Sequence, residues 1–314
     1  MRLVIALGGN ALSPPDNAGH QTSALLKQSC QQMAELIRRG HEVIVVHGNG
    51  PQVGALLLQN EAARDVTPPN TLDICDAETQ GHLGYLIQQG LRNALVALAV
   101  EKPVVSLVTQ VLVDPADPGF HDPAKPVGPV YGEERARQLM EARGYRMREV
   151  HPGRWRRVVA SPKPLRIVES AAIQALVRTG VVPVTAGGGG IPVVESEGQL
   201  EGVEAVVDKD FAAELVGRLV KAEALIILTD VDAAYLDFET PQARRLAWIC
   251  AEEGWRYLRE GHFPPGSMGP KVEACLRFVE HGGRYAVIAP LPHVVAAVDG
   301  YVGSQVVKSG GGLG

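Results

Sequence analysis

Short runs of valine, isoleucine and leucine recur along the chain and divide it into regular segments. They occupy residues 3–7, 43–46, 104–113, 181–185, 225–229 and 285–289. In most of each run the apolar residues follow one another without alternating with polar ones, which is typical of strands buried on both faces of a sheet. The pattern therefore predicts the strands of a largely parallel sheet.

The segments between these runs have the spacing of apolar residues that helices require. In the first segment the apolar positions are Leu26, Cys30, Met33 and Ile37, and Gly40 follows as a stop signal. A later segment is expected to form a helix with the buried face Phe211, Leu215, Val216 and Leu219. Alternation of strands and helices predicts an α/β fold with helices on both sides of the sheet. In such folds ligands bind beyond the carboxyl ends of the strands, so the loops there become the candidate site.

Composition narrows the class of protein. Of the 314 residues, 46% are hydrophobic and 21% are charged, which excludes a disordered chain and gives room for about two domains. The formal charge of −5 provides no chain-wide positive field for a nucleic acid. The longest apolar runs fall well short of the roughly 18 residues that would span a membrane. A soluble protein without nucleic-acid or membrane partners is expected.

The four cysteines indicate the compartment. Cys30, Cys75, Cys250 and Cys275 are far apart and form no C-x-x-C pair. Neither a zinc site nor a disulfide framework follows from that spacing. A reducing, cytoplasmic location is therefore expected.

Residues 114–157 break the alternation and are interpreted as a small insertion. The segment has six prolines, and eight arginines lie between Arg135 and Arg157. An RNA-binding patch is one interpretation of these arginines. Glutamates are interleaved with them at positions 133, 134, 141 and 149, which favours a solvated surface with ion pairs.

Three glycine clusters each follow a predicted strand. They are Gly8-Gly9-Asn10, Gly48-Asn49-Gly50 and residues 187–190. Glycine lets the backbone approach a ligand closely, and successive N–H groups at a helix start form a partly positive cradle for an anion. One such cluster alone could be a tight turn, but three together favour a site for phosphate or carboxylate.

Two other nucleotide-binding classes compete with this interpretation. No G-x-x-x-x-G-K-[ST] sequence occurs, which argues against a P-loop protein. The second cluster comes close to a dinucleotide fingerprint, which would indicate a nicotinamide-dependent oxidoreductase. That class needs an acidic residue at the end of a strand about 20 positions further on. Here residues 67–73 form a proline-containing loop with no strand before it, so a dehydrogenase is not favoured.

Lysine is scarce, and two of its positions are informative. The chain has 22 arginines and eight lysines. Lys209 and Lys271 each lie near the start of a predicted helix, and Asp210 could pair with both. Phosphoryl transfer needs cations set against phosphate oxygens, which such a group supplies. The alternative is that each lysine is a solvated or capping residue of a first helical turn.

Nine sequence blocks, in this order, resemble those of the carbamate kinases, which are part of the amino-acid kinase family. The blocks are ALGGNA (6–11), VHGNGPQVG (46–54), AETQGHLGY (77–85), DPADP (114–118), KPVGP (125–129), SPKP (161–164), GGGGIPV (187–193), VDKDFA (207–212) and PGSMGPK (265–271). Broader relatives usually have a lysine where this chain has Ala6. One positively charged side chain of the site is therefore expected to come from another part of the chain.

The resemblance implies a fold and an activity. The fold is a three-layer α/β/α sandwich around a mainly parallel central sheet, with a small protruding lid subdomain. The reaction is reversible, direct in-line phosphoryl transfer between ATP and carbamate, yielding ADP and carbamoyl phosphate. Such enzymes generally work as homodimers and use Mg²⁺ with ATP or ADP, and no metal ligands of the protein itself are predicted.

The resemblance also implies roles for individual residues. The acceptor and the transferred phosphoryl group would be held by donors of Gly8, Gly9, Asn10, Gly48, Asn49 and Gly50. The catalytic group would be Lys125, Lys209, Asp210 and Lys271, with Lys125 on the lid supplying the cation absent at Ala6. The nucleotide would contact Lys209, Asp230, Ser267, Met268, Gly269 and Lys271.

The chain is expected to divide by substrate. Residues 1–195 would form the carbamate half, including the lid at about 114–157, and residues 196–314 the nucleotide half. Two alternatives remain open at this point. One is a sibling kinase that phosphorylates another small carboxylate, and the other is a catalytically silent nucleotide-sensing domain.

Overall fold

The computed structural model describes residues 1–12 and 23–309. The strands, in chain order, are β1 Arg2–Leu7, β2 Glu42–His47, β3 Val104–Ser106, β4 Gln110–Val113, β5 Lys125–Tyr131, β6 Met147–His151, β7 Arg154–Val159, β8 Pro164–Ile167, β9 Val182–Val184, β10 Ile191–Ser196, β11 Gln199–Gly202, β12 Ala224–Thr229, β13 Ala234–Leu236, β14 Arg244–Leu246, β15 Trp248–Cys250, β16 Tyr285–Pro290 and β17 Ser304–Val307.

The helices follow the predicted alternation. In chain order they are α1 Ala24–Arg38, α2 Gly50–Ala63, α3 Leu72–Ala97, α4 Pro118–His121, α5 Glu133–Arg143, α6 Ser170–Arg178, α7 Lys209–Val220, α8 Ala251–Arg259, α9 Met268–Glu280 and α10 Val294–Val298. Short 3-10 turns occur at Gly9–Leu12 and Gly187–Gly189.

A mainly parallel sheet forms the centre of the molecule. Within the described ranges its strand order is β15-β17-β16-β12-β1-β2-β9-β3, and only β16 and β17 pair antiparallel. Successive side chains of β1 enter opposite cores: Val4 and Ala6 pack with α6, α7 and α9, whereas Leu3 and Ile5 pack with α1, α3 and α10. The predicted three-layer α/β/α fold is confirmed.

The run 104–113 is not one strand, as the sequence predicts, but two. β3 is an edge strand of the central sheet, whereas β4 belongs to a second sheet of order β11-β10-β4-β8. The chain passes between the sheets at Thr109, whose N–H and carbonyl group both hydrogen-bond to the side chain of Gln80 on α3. The same carbonyl group also accepts the N–H of Ile191 on β10, so the Gln80 side chain adds to the strand pairing at this point.

The predicted buried face of α7 is only partly correct. Val216 is buried, but Phe211, Leu215 and Leu219 are half-buried, and the deepest positions include Ala213 and Gly217. These small residues let α7 approach its neighbours closely. A Cβ atom on Gly217 would lie 2.7 Å from the ring of Phe278 on α9.

The segment 114–157, interpreted from the sequence as an insertion, contains a separate sheet with the order β5-β7-β6, together with α5. Its strands run to Val159, slightly beyond the expected boundary. The insertion packs against the rest of the molecule through a small apolar cluster that includes Val53 of α2 and Val127 of β5. Several of its arginines form ion pairs, as the sequence predicts. Arg137 pairs with the interleaved Glu133, whereas Arg148 pairs with Asp122 outside that group of glutamates.

Two further observations concern the cysteines and the helices of the described residues. Each of the four cysteines is a free thiol, and three of them are buried. Among the residues described, no helix is both long and apolar enough to cross a membrane.

Candidate active site

The site lies at the carboxyl edge of the central sheet. β1 pairs in parallel with both β2 and β12, so the three strands end side by side. The loops that follow them border a cavity of about 420 Å³. Residues that line it include Gly8, Gly9, Gly48, Gly50, Gly188 and Asp230.

The glycine loops are packed against one another too closely for side chains. A Cβ atom on Gly48 would lie 3.1 Å from the backbone nitrogen of Gly9 and equally close to Cδ of Lys209. Gly188 has a φ of +70° and lies on the side-chain amide of Asn49, where a Cβ atom would be 2.2 Å from Nδ2. Glycine at both positions permits this close packing beside the cavity. The N–H of Gly48, which the sequence predicts to bind the acceptor, instead donates to the carbonyl of Leu7 at 3.0 Å.

Two lysines meet one carboxylate beside these loops. Lys209 begins α7, and its Nζ lies 2.5 Å from Oδ1 of Asp210. Lys271, in the first turn of α9, has its Nζ 2.8 Å from Oδ2 of the same aspartate. Asp210 is only 1% exposed, and it lines the cavity together with both lysines. The arrangement therefore places two ammonium groups at the wall of the cavity.

Burial and pairing act in opposite directions on these three groups. Burial alone would raise the pKa of Asp210, but the two ammonium groups outweigh it and hold the pKa below its ordinary value. Burial lowers the pKa of Lys209, and repulsion by Lys271 adds to this effect. For Lys271, the attraction of Asp210 exceeds the effect of burial and raises the pKa. The carboxylate is thus held ionised, as a bridge between cations requires.

A third lysine reaches the cavity from the inserted sheet. Lys125, the first residue of β5, has its Nζ 2.7 Å from Oδ2 of Asp208. Asp208 also caps α7, because its Oδ1 accepts the N–H of Asp210. The insertion and the lysine cluster are thus joined at one carboxylate, which the sequence reasoning did not single out.

A smaller cavity of about 210 Å³ adjoins the first and shares Thr229, Asp230, Ser267 and Lys271 with it. Its wall is mainly apolar and includes Ala233, Tyr235, Phe238, Pro264 and Met268. The rings of Tyr235 and Phe238 lie 5.7 Å apart. Aromatic side chains beside a polyphosphate-sized cavity suit a nucleobase, because a base binds by stacking and apolar contact.

A buried polar network holds the second glycine loop from behind. Asn49, the residue before α2, donates from Nδ2 to Oδ1 of Asp76 and to Oγ1 of Thr79, each at 2.9 Å. Both acceptors are on α3, and burial raises the pKa of Asp76 to about 7. The amide hydrogens predicted to contact the acceptor are therefore engaged within the protein.

The same helix also holds the third glycine loop. Gln80 donates from Nε2 to the carbonyl groups of Thr109 and Gly187, at 3.0 and 2.9 Å. Its Oε1 accepts the N–H of Thr109 at 2.7 Å. One side chain thus fixes the loop 187–190 relative to the point where the chain changes sheets.

Most of the residues singled out from the sequence lie around the two cavities. These are Gly8, Gly9, Gly48, Asn49, Gly50, Lys125, Lys209, Asp210, Asp230, Ser267, Met268 and Lys271. Gly269 instead is buried in the first turn of α9, where its N–H donates to the carbonyl of Pro264. The side chain of Asn10 falls outside the described part of the structure. Sequence reasoning missed Asp76, Thr79, Asp208, Tyr235 and Phe238.

The described residues contain no group of three or more histidine, cysteine, aspartate or glutamate side chains that could hold a metal ion. The carboxylates that line the main cavity include Asp208 and Asp230.

Comparison with known proteins identifies the family. Residues 1–290 match the model of the amino acid kinase family. The carbamate kinase of Pyrococcus horikoshii is 45% identical over 97% of this chain and 98% of its own length. That of Clostridium perfringens is 46% identical over 98% of this chain and the whole of its own length.

A solved structure extends the likeness to the fold. The carbamate kinase of Giardia lamblia bound to AMP-PNP superposes with a TM-score of 0.89 at 38% identity, and the match covers 98% of each chain. The family match spans most of the chain, and these relatives match it nearly end to end. The chain therefore belongs to the amino acid kinase family, among its carbamate kinases.

Proposed function

We propose that this protein catalyses reversible transfer of a phosphoryl group between ATP and carbamate, forming ADP and carbamoyl phosphate. The observation that carries the proposal is the pair Lys209 and Lys271, bridged by buried Asp210 beside the glycine loops. This group provides positive charge where a phosphoryl group in flight would need it. Carbamate as the acceptor is inferred from the carbamate kinases to which the chain is similar.

In the proposed mechanism, transfer is direct and in line. Lys209 and Lys271 neutralise the charge on the nucleotide phosphates, and Asp210 keeps the two ammonium groups at a fixed separation. Backbone N–H groups of the first two glycine loops, 8–10 and 48–50, bind the oxygens of the acceptor and of the transferred group, except that of Gly48, which donates to the carbonyl of Leu7. The protein forms no covalent bond to the phosphoryl group in this mechanism. Positioning of the substrates and stabilisation of negative charge account for most catalysis of phosphoryl transfer.

Lys125 is proposed as the third cation. Its ion pair with Asp208 supports this role, because the pair holds the ammonium group beside the main cavity. The inserted sheet that carries Lys125 would act as a lid. Closure of such a lid excludes water, which otherwise hydrolyses an acyl phosphate.

The two substrates are assigned to different halves of the chain. Residues 1–195 supply the glycine loops and the lid for the acceptor, and residues 196–314 supply the nucleotide side. The apolar pocket with Tyr235, Phe238 and Met268 would take the adenine base. Asp230 and Ser267 lie where the two cavities meet and would contact the ribose and phosphates.

Mg²⁺ is proposed to arrive with the nucleotide. The donor set fits this arrangement, since Mg²⁺ binds through one or two carboxylates together with phosphate oxygens. Asp208 and Asp230 are the carboxylates at the cavity that would hold it. The chemistry that Mg²⁺ supplies when bound is neutralisation of charge on the phosphate oxygens.

A cytoplasmic location is proposed as well, on the ground that the four cysteines are free thiols.

A homodimer through α3 is also proposed. Ile74, Tyr85 and Val96 are exposed and follow one another at intervals of 11 residues, so all three lie on one side of the helix. Tyr85 and Val96 are each more than half exposed. Large apolar side chains aligned in this way are typical of an interface with another chain.

The activity can be measured in the ATP-forming direction. With ADP, Mg²⁺ and carbamoyl phosphate, the purified protein is expected to form ATP, detected by a coupled luminescent assay, and chelation of Mg²⁺ should stop the reaction. In the opposite direction, ADP release from ATP should require carbamate and not acetylglutamate or aspartate. Absence of ATP formation would refute the proposed function, and a preference for another acceptor would indicate a sibling kinase.

Replacing either lysine of the cluster should abolish most turnover. Lys209→Ala or Lys271→Ala is expected to lower kcat by about a hundredfold or more, because each removes charge that stabilises the transition state. Lys102→Ala, an exposed lysine away from both cavities, is the matched control and should keep wild-type turnover. A decrease of less than tenfold in the cluster variants contradicts the roles assigned to them.

Lys125→Ala should separate catalysis from nucleotide binding. The lysine is on the proposed lid, so kcat is expected to fall while the Kd for ADP, measured by calorimetry, stays within about twofold of wild type. Asp208 is partly exposed and can be solvated once its partner is lost. Loss of ADP affinity in this variant would show that Lys125 binds the nucleotide instead.

The proposed interface predicts a change in assembly. Tyr85→Glu combined with Val96→Glu is expected to convert the dimer to a monomer in sedimentation velocity, since burying two carboxylates is costly. Val66→Glu, a similar change at an exposed residue outside α3, should leave the dimer intact. A wild-type protein that sediments as a monomer at micromolar concentration would rule the proposal out.

A further inference from the structure

We propose that Asp76 and Thr79 are positioning residues that turn the side-chain carbonyl oxygen of Asn49 toward the acceptor, where it binds the amino group of carbamate. The inference rests on the proposed function and adds to it a source of specificity. It concerns how the site distinguishes carbamate from carboxylates of the same size that lack an N–H group.

Asn49 is in the right place to contact the acceptor. It lies between Gly48 and Gly50 in the second glycine loop and lines the main cavity together with Gly8 and Gly9. Its side chain is nearly buried, with 7% of the residue exposed. A polar group so enclosed has few possible partners, so the direction of each of its atoms matters.

The hydrogen bonds of Thr79 fix the direction of the Asn49 amide. The Thr79 hydroxyl donates its one hydrogen to the carbonyl of Asp76 at 2.8 Å. Its oxygen can therefore only accept from Asn49, so the amide atom 2.9 Å away is the nitrogen Nδ2. The second hydrogen of Nδ2 goes to Oδ1 of Asp76. Both amide donors are directed at α3, and the atom left to contact a ligand is the carbonyl oxygen.

The opposite side of the amide is held as well. Gly188 lies against it, at a distance where a Cβ atom would overlap Nδ2. The amide is thus enclosed between α3 and the third glycine loop and has little room to rotate about its own axis. The contacts within the folded protein therefore fix the orientation of the amide before a ligand binds.

The choice of aspartate at position 76 points to function and not to stability. Asp76 is 2% exposed, and burial raises its pKa despite the hydrogen bond from Asn49. Burying a carboxylate with a single amide donor costs free energy that a neutral side chain would avoid. Such costs occur where a site needs a particular charge or orientation, and here the carboxylate is an acceptor that orients Asn49.

Carbamate needs the acceptor that this orientation provides. Its carboxylate oxygens accept hydrogen bonds, which the backbone N–H groups of the glycine loops can donate. Its amino group can only donate, because the nitrogen lone pair is delocalised into the carboxylate. A site made of N–H donors alone would leave that group unpaired, and a buried unpaired donor weakens binding.

A pair of acyl phosphates can test the inference. Carbamoyl phosphate has the amino group, whereas acetyl phosphate has a methyl group in its place. The Asp76→Asn/Thr79→Val double variant removes both constraints on the amide, since the introduced carboxamide can donate as well as accept and the introduced isopropyl group does neither. We expect the KM for carbamoyl phosphate to rise at least about tenfold, and the Ki of acetyl phosphate as a competitor and the Kd for ADP to stay within about twofold.

Two further variants provide controls. Thr79→Ser retains the hydroxyl and should restore the preference for carbamoyl phosphate, in contrast to Thr79→Val. Thr179→Val removes an exposed hydroxyl that donates to a helix carbonyl far from the site and should leave all constants unchanged. The thermal transition shows whether the double variant folds. If it does not, Asp76→Asn alone is expected to raise the ratio of the KM for carbamoyl phosphate to the Ki of acetyl phosphate.

The outcomes distinguish this inference from the proposed function. Equal weakening of both acyl phosphates would assign Asp76 and Thr79 a structural role only and overturn the inference. Unchanged constants for both ligands would overturn it too. A wild-type protein that forms no ATP from carbamoyl phosphate would instead refute the proposed function itself.

Discussion

The ion cluster around Asp210 is the constraint on which the site depends. A carboxylate withdrawn from water is stable in its charged form only when cations and hydrogen-bond donors surround it. Here the cations come from two helices, α7 and α9, so the distance between the helices must match the reach of two lysine side chains. The packing of α7 on α9 through Gly217 and Phe278 provides that distance. The hydrophobic core and the charged site are therefore parts of one arrangement.

Much of the fold and part of the site follow from local sequence. Continuous apolar runs are sufficient to predict a buried parallel sheet, and glycines after strands are sufficient to locate the loops at its carboxyl edge. Lys209, Asp210 and Lys271 stand out because lysine is rare in this chain and because each lies at a helix start. These signals depend on neighbours in the sequence, which is why they can be interpreted without a structure.

Other features depend on contacts between distant segments and could not be predicted. Gln80 hydrogen-bonds to both backbone groups of Thr109, where the chain passes from one sheet to the other, and no periodicity in residues 104–113 indicates this. The predicted buried face of α7 is partly wrong because alanine and glycine, not the larger side chains, make its closest contacts. The direction of the Asn49 amide follows from the hydroxyl of Thr79, 30 residues away. The sequence block containing Thr79 is part of the family resemblance, but nothing in it specifies that contact. The roles of the individual site residues remain predictions for the experiments above.

The helix α3 links the inner and outer surfaces of the molecule. Its 26 residues form a rod about 39 Å long, whose inward side holds two glycine loops through Asp76, Thr79 and Gln80. Gly84 lies so close to Ser106 on β3 that a Cβ atom at this position would overlap the serine side chain. A surface change that moved the axis of this helix would therefore also move both glycine loops, so the outer surface and the site are mechanically coupled through one helix.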